Sequence, residues 1–129
     1  MELELLDLDF SVCKLADVSD VDLSKQFFFA SRTDSEISLV CPTADAPASA
    51  ISVNDGWKCF RICGTLDFSL IGILSELSTI LAEARIGIFA VSTYDTDYIL
   101  IKKENLESAI EALSSKGYSI KYGPDHYRS

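Results

Sequence analysis

"IGIFAVSTYDTDYILIKK", residues 86–103, decides the fold. Strand-forming residues run over 86–93 and again over 97–103, and a knot of hydroxyls and carboxylates parts them. Thr, Tyr and Asp between them read as a turn, so the segment is a hairpin. Its flanks set the architecture. Downstream, "ENLESAIEALSSKG" (104–117) places Leu106, Ala109, Ile110 and Leu113 on one side of a helix. Gly117 stands where a left-handed C-terminal residue is wanted, and "YSIKY" (118–122) closes with a short strand. Upstream, "LDFSLIGILSELSTILAEA" (66–84) has apolar residues at 70, 73, 74, 77, 80, 81 and 84. That spacing predicts an amphipathic helix over 69–84, with Asp67 or Ser69 as its N-cap. Before it, "GWKCFRICG" (56–64) is a strand bounded by glycines. The order strand, helix, strand, strand, helix, strand is the ferredoxin-like α+β pattern, a sheet with two helices on one face. "IFAV" and "YILI" leave the other face partly apolar, so a second layer or a partner is expected there.

The first half carries weaker signals. "FSVCKL" (10–15), "FFFAS" (27–31) and "ISLVC" (37–41) read as strands, with "RTDSE" (32–36) as the turn between the last two. Residues 16–26 are acidic and short of apolar side chains, so any helix there is brief. "CPTADAPASA" (41–50) reads as a connection with one helical turn after Pro42. "FFFASRTDSEISLV" (27–40) and "IFAVSTYDTDYILI" (88–101) share a pattern: apolar strand, hydroxyls and an acid, apolar strand. They read as degenerate copies of one unit.

Composition limits the function classes. The chain has 129 residues, 48% of them hydrophobic, enough for a stable core and too apolar for disorder. Its net charge of -9 repels phosphate backbones and anionic lipid, so neither nucleic acid nor membrane is an expected partner. No apolar run approaches the ~18 residues that span a bilayer, and no signal peptide opens the chain, so a soluble, cytoplasmic protein is expected. Cys13, Cys41, Cys59 and Cys63 lie in apolar runs and read as reduced, buried thiols. Their spacing is not that of a metal site, and the one histidine, His126, lies in a polar tail, so neither metal nor cofactor is expected. No phosphate loop, dinucleotide fingerprint or assemblable catalytic triad is present, so catalysis is not expected either.

"GTLDFSLIGILSELSTILAEARIGIFAVSTYDTDYILIKKENLESAIEAL" resembles the C-terminal ACT domain of the small bacterial tandem ACT-domain proteins, a module type similar to that of the CASTOR arginine sensors of animals. The likeness covers about residues 56–122 and is most specific at "STYDTDYIL" (92–100). The N-terminal half, with "TDSEISLVCP" (33–42), is similar to the truncated first unit of those proteins. The resemblance implies a truncated ACT-like unit over 1–50 packed beside an ACT domain over 56–122, with a tail at 123–129. It also implies regulatory binding of a small molecule, usually an amino acid, at an interface between ACT units. Carried over, the loop and helix start supply Leu66, Asp67, Phe68, Ser69, Leu70, Ile71 and Gly72. The hairpin supplies Thr93, Tyr94, Asp95, Thr96 and Asp97, and the N-terminal hairpin Ser35, Glu36 and Ile37. One departure stands out. Many ACT domains open this loop with an Asp-Arg-Pro-Gly-like run, whereas this chain reads "TLDFSLIG", so the ligand cannot be borrowed from enzyme-attached ACT domains.

Elementary chemistry supports such a site. The free N–H groups and dipole at the start of the 69–84 helix suit a carboxylate. Gly72 permits close approach. Asp95 or Asp97 would hold an ammonium group, Asp97 being better placed at a strand end, and Tyr94 and Phe68 would wall the site. Acidic surroundings favour a small or cationic ligand. Plainer roles stand beside these: Asp95 as a turn former bonded to its own backbone, Asp97 as a solvated strand residue, Asp67 as an N-cap, Gly72 as a packing glycine. An oligomerisation scaffold without ligand is the rival function. Two small sheets leave edges to cover, which points to a homodimer, and with no catalytic domain attached the chain would act on a regulated protein partner.

Overall fold

The computed structural model describes residues 1–63 and 72–123. Leu66, Asp67, Phe68, Ser69, Leu70 and Ile71, as well as His126 and most of the tail, lie outside the described residues. The strands are β1 (Glu2–Leu5), β2 (Phe10–Leu15), β3 (Phe29–Arg32), β4 (Ile37–Pro42), β5 (Ser52–Ile62), β6 (Phe89–Ser92), β7 (Asp97–Lys102) and β8 (Ser119–Tyr122). The helices are α1 (Ile73–Glu83) and α2 (Leu106–Ser115). The chain forms two compact units: one holds Met1–Asp7 and residues 58–123, the other Leu8–Trp57. β5 gives its first half to the second and its end to the first.

The larger unit has the expected β5-α1-β6-β7-α2-β8 order, with one addition. β1, a four-residue segment with the alternating sequence "ELEL", lies between β5 and β8, antiparallel to the one and parallel to the other. The sheet therefore runs β6-β7-β5-β1-β8. Leu3 and Leu5 of β1 join Phe60, Ile62, Ile99 and Ile101 in meeting Leu77 and Leu81 of α1 and Leu113 of α2. These side chains are buried almost completely and form the core of the unit.

Both helices start and stop on backbone devices. Among the described residues α1 begins at Ile73, with Gly72 in the cap position at φ 94 and no side-chain cap bond, and the start expected at 69 lies outside the described residues. Apolar spacing continues through Gly72, so period alone could not reveal that cap. At the far end Ile86 N–H donates to Leu81 O at 2.9 Å and Arg85 N–H to Ala82 O at 2.9 Å, a Schellman motif with Arg85 left-handed at φ 64. α2 ends the same way: Tyr118 N–H donates to Leu113 O and Gly117 N–H to Ser114 O, both at 3.1 Å, with Gly117 at φ 92. The first motif uses up residues 84–86, so β6 starts at Phe89 rather than at 86.

The smaller unit orders its strands β3-β4-β2-β5. First strand beside third and fourth, second strand at the edge: this is the ferredoxin-like order with its helices reduced to single turns, Val18–Asp20 and Thr43–Asp45. Cys13, Leu15, Leu39 and Cys41 form its core, covered by Val21, Phe28, Ala46 and Ala50. Between Phe10↔Trp57 and Val12↔Asn54 the β2–β5 pairing shifts by one residue, a bulge in β5 at Asp55 and Gly56, where Gly56 has φ 84. The Asp55 carboxylate accepts a bond from Ser11 Oγ at 2.5 Å there. The thiols of Cys13 and Cys41 hydrogen-bond to one another, and burial raises both, Cys41 to about 12.

The internal repeat is real, but its register differs by one residue from the one the acids suggest. β3 and β6, β4 and β7, and the turns Thr43–Asp45 and Lys103–Asn105 correspond at a fixed offset that sets Thr33 on Thr93. Thr33 N–H donates to Glu36 O and Thr93 N–H to Thr96 O, both at 2.9 Å. The threonine hydroxyl caps each turn: Thr33 Oγ1 accepts from Ser35 and Glu36 N–H, and Thr93 Oγ1 accepts from Thr96 N–H. Hydroxyl, not carboxylate, is the shared element, which is why matching aspartates misplaces the copies.

Candidate functional site

The face of the larger sheet that lies away from the helices carries a polar row built by strand register. Lys121 on β8 stands opposite Glu4 on β1, and Glu4 stands opposite Arg61 on β5. The Arg61 guanidinium in turn lies over the Tyr98 ring of β7, 5.4 Å from its centroid. Alternation places these residues on one face while Leu3, Leu5, Phe60 and Ile62 point to the core. The face is charged along β5, β1 and β8, while β6 and β7 place Phe89, Val91 and Leu100 on it, the apolar part that the sequence led us to expect. It opens into a cleft of about 570 Å³ lined by Glu4, Arg61, Ile62, Cys63, Asp95, Thr96 and Lys121. That volume is within the range of small-molecule sites. A second cavity, in the smaller unit and lined by Asp20, Phe27, Cys41 and Asp45 among others, offers only about 20 Å³, room for a single water.

The charges in the cleft are not equivalent. Arg61 Nη1 lies 3.3 Å from Glu4 Oε1, with side-chain exposures of 22% and 10%. Lys121 Nζ lies 3.6 Å from Glu2 Oε1, but both of these side chains are about half exposed, so the pair is easily exchanged. The exposed Asp95 makes no hydrogen bond or ion pair with another described residue. Burial pushes the half-buried Cys63 thiol above its ordinary value, so it sits neutral in the wall. Thr96, which is buried, donates from Oγ1 to Ile62 O at 2.8 Å. This bond ties the hairpin tip to the end of β5 and sets Asp95 at the rim.

The site residues expected from sequence divide accordingly. Asp95 and Thr96 line the cleft. Asp97, preferred over Asp95 on the sequence, is half-buried at the start of β7 and is not among the lining residues. Tyr94 is wholly exposed and walls nothing in its unit. Thr93 serves the turn, where its Oγ1 donates to Thr96 O at 2.8 Å, so the turn bond open to Asp95 is made by Thr93 instead. Ser35 and Glu36 are exposed at the tip of the smaller unit's hairpin, and Ile37 opens β4. Gly72 is the exposed cap of α1. Asp67, Phe68, Ser69, Leu70 and Ile71 lie outside the described residues, but Cys63 in the cleft wall leads the chain directly into that loop.

Sequence reasoning missed Glu4, Arg61, Cys63 and Lys121. Their signal is the two-residue alternation of "ELEL", "FRIC" and "SIKY", which marks solvent-side strand positions. Nothing in that alternation says that the three segments become neighbours.

Residues 52–115 match the ACT domain family. The chain is similar to a protein of Agobacterium tumefaciens of known structure, with 31% identity and a TM-score of 0.84, covering 95% of this chain and 93% of the other. It is also similar to a Vibrio cholerae protein described as a possible transport protein, with 22% identity, a TM-score of 0.70 and 88% of each chain covered. The regulatory subunit of aspartate kinase from Thermus thermophilus matches at 14% identity and a TM-score of 0.61, over 88% of this chain and 94% of the other. At such identities the last two speak for the fold alone. Among the described residues no helix is long and apolar enough to cross a membrane.

Proposed function

Because the chain is a member of the ACT-domain family, we propose that it is a regulatory module without catalysis of its own, binding an α-amino acid in the cleft of its larger unit. One observation carries this reading: Asp95, a carboxylate with no partner among the described residues, and an exchangeable ammonium, Lys121, line one metabolite-sized cleft. They complement the ammonium and carboxylate of a free amino acid. Asp95 forms charge-assisted bonds to the ligand, each worth about 1.5–3 kcal/mol where water is excluded. Lys121 exchanges Glu2 for the ligand carboxylate. Occupancy is read by a partner protein or a second copy of the chain.

Thermal unfolding with each common amino acid at millimolar concentration tests this, because a ligand of the folded state raises its stability. A selective rise in Tm, lost in Asp95→Asn, is expected. A second reading, an assembly scaffold with no ligand, is favoured by β3, β6 and β8, each of which has one strand neighbour among the described residues. Silence across the whole panel would favour that scaffold.

A further inference from the structure

The cleft holds two cations, yet one of them is already spoken for. Glu4 is 8% exposed, and its carboxylate stands between Lys121 and Arg61 in strand register, 3.3 Å from the guanidinium. Tyr98 covers the guanidinium from the side. Gly123 packs beside Glu4. Its N–H donates to Leu5 O at 2.7 Å, and a Cβ there would come within 3.0 Å of Glu4 Oε2 and 3.2 Å of Leu5 O. A side chain at 123 would push the Glu4 carboxylate and the β1 backbone by a few tenths of an ångström.

We propose that Glu4 is a specificity-determining residue of this cleft: by neutralising Arg61 it excludes ligands with a second carboxylate, so the site takes neutral or basic amino acids. The inference rests on the amino-acid reading above and adds the class of side chain. With Arg61 matched by Glu4 and Lys121 spent on the α-carboxylate, a side-chain carboxylate would meet no free cation. It would add a like charge beside Glu4 and Asp95 instead, which disfavours it. A neutral or cationic side chain meets no such repulsion.

The test measures binding of alanine, serine, lysine, arginine, aspartate and glutamate by calorimetry on three full-length proteins: wild type, Glu4→Gln, and Glu4→Gln combined with Arg61→Gln. Wild type is expected to bind one or more neutral or basic amino acids and to reject aspartate and glutamate. Glu4→Gln keeps the shape, removes the negative charge beside Arg61, and is expected to gain about tenfold or more for the dicarboxylic amino acids. The double variant removes the guanidinium as well and is expected to reject them again, which also covers the case in which loss of the Glu4 charge destabilises the single variant. Gly123→Ala is expected to move selectivity the same way as Glu4→Gln, by a smaller factor. Wild type binding glutamate as well as alanine, or Glu4→Gln binding with unchanged selectivity, overturns the role of Glu4 while leaving the amino-acid site intact. Absence of binding by any amino acid to any variant overturns both.

Discussion

Tyr118 illustrates how much a single side chain does here. It is the residue that closes the α2 Schellman motif, it is 7% exposed in the core, and its hydroxyl donates to Glu76 Oε1 in the first turns of α1 at 2.5 Å. Burial, then the bond to and the charge of Glu76, push the phenol up to about 12. A pKa raised on folding means that the folded state holds this proton more tightly than the unfolded chain. The corresponding stability is therefore fully present below about pH 10 and is lost as pH rises toward 12. Urea unfolding between pH 8 and about 12 should show that alkaline loss, and Tyr118→Phe should flatten it at a cost of about 1 kcal/mol near neutrality. The tyrosine's place after Gly117 was readable from the sequence. Its bond to a glutamate 42 residues away was not. The cysteines divide similarly. Their apolar settings announced buried, unbridged thiols, and Cys13, Cys41 and Cys59 are buried and form no disulfide. That Cys63 would face the cleft depended on where β5 ends.

At the scale of elements, the two helices invite a paired experiment. Each ends on one left-handed residue, Gly117 after α2 and Arg85 after α1. A Cβ in that conformation costs roughly 1 kcal/mol, a cost glycine avoids. Gly117→Ala should thus lower stability by about 1 kcal/mol, while Arg85→Gly should raise it by about 0.5–1 kcal/mol, both measured by denaturant midpoints at constant m. If both changes destabilise alike, the motif at Arg85 is held by side-chain contacts instead. Element type was legible throughout the C-terminal half because the helical stripes and the strand runs are local properties. Element ends were less so. Gly72 and Arg85 stop α1 through backbone conformation, to which hydrophobic spacing is blind. The hairpin turns show the same limit: the sequence marked both, yet only the bonds of Thr33 and Thr93 aligned them.

For the whole molecule, the decisive fact is the place of β1. Leu3 and Leu5 sit in the core of the larger unit, and the backbone of β1 bonds to strands more than 50 residues away in sequence. Removing residues 1–7 would strip that core and leave β5 and β8 as unpaired edges. The truncated chain should lose cooperative urea unfolding or aggregate, as followed by circular dichroism and light scattering. A chain that still unfolded in one sharp step would show β1 to be dispensable. The same strand carries Glu4, so the cleft's selectivity is set by a segment that the sequence reading assigned no structure. By itself the sequence determined the βαββαβ order, the buried stripe of each helix, the hairpins and the acidic character of the surface. All of these follow from neighbours a few residues apart and from composition. Only the tertiary structure decided which distant strands pair, and with that the row Lys121, Glu4, Arg61 and Tyr98, the fitting of Asp95 rather than Asp97 to the cleft, and the register of the repeat. Strand pairing is a contest among many alternatives of similar local appearance, and burial of the whole sheet settles it.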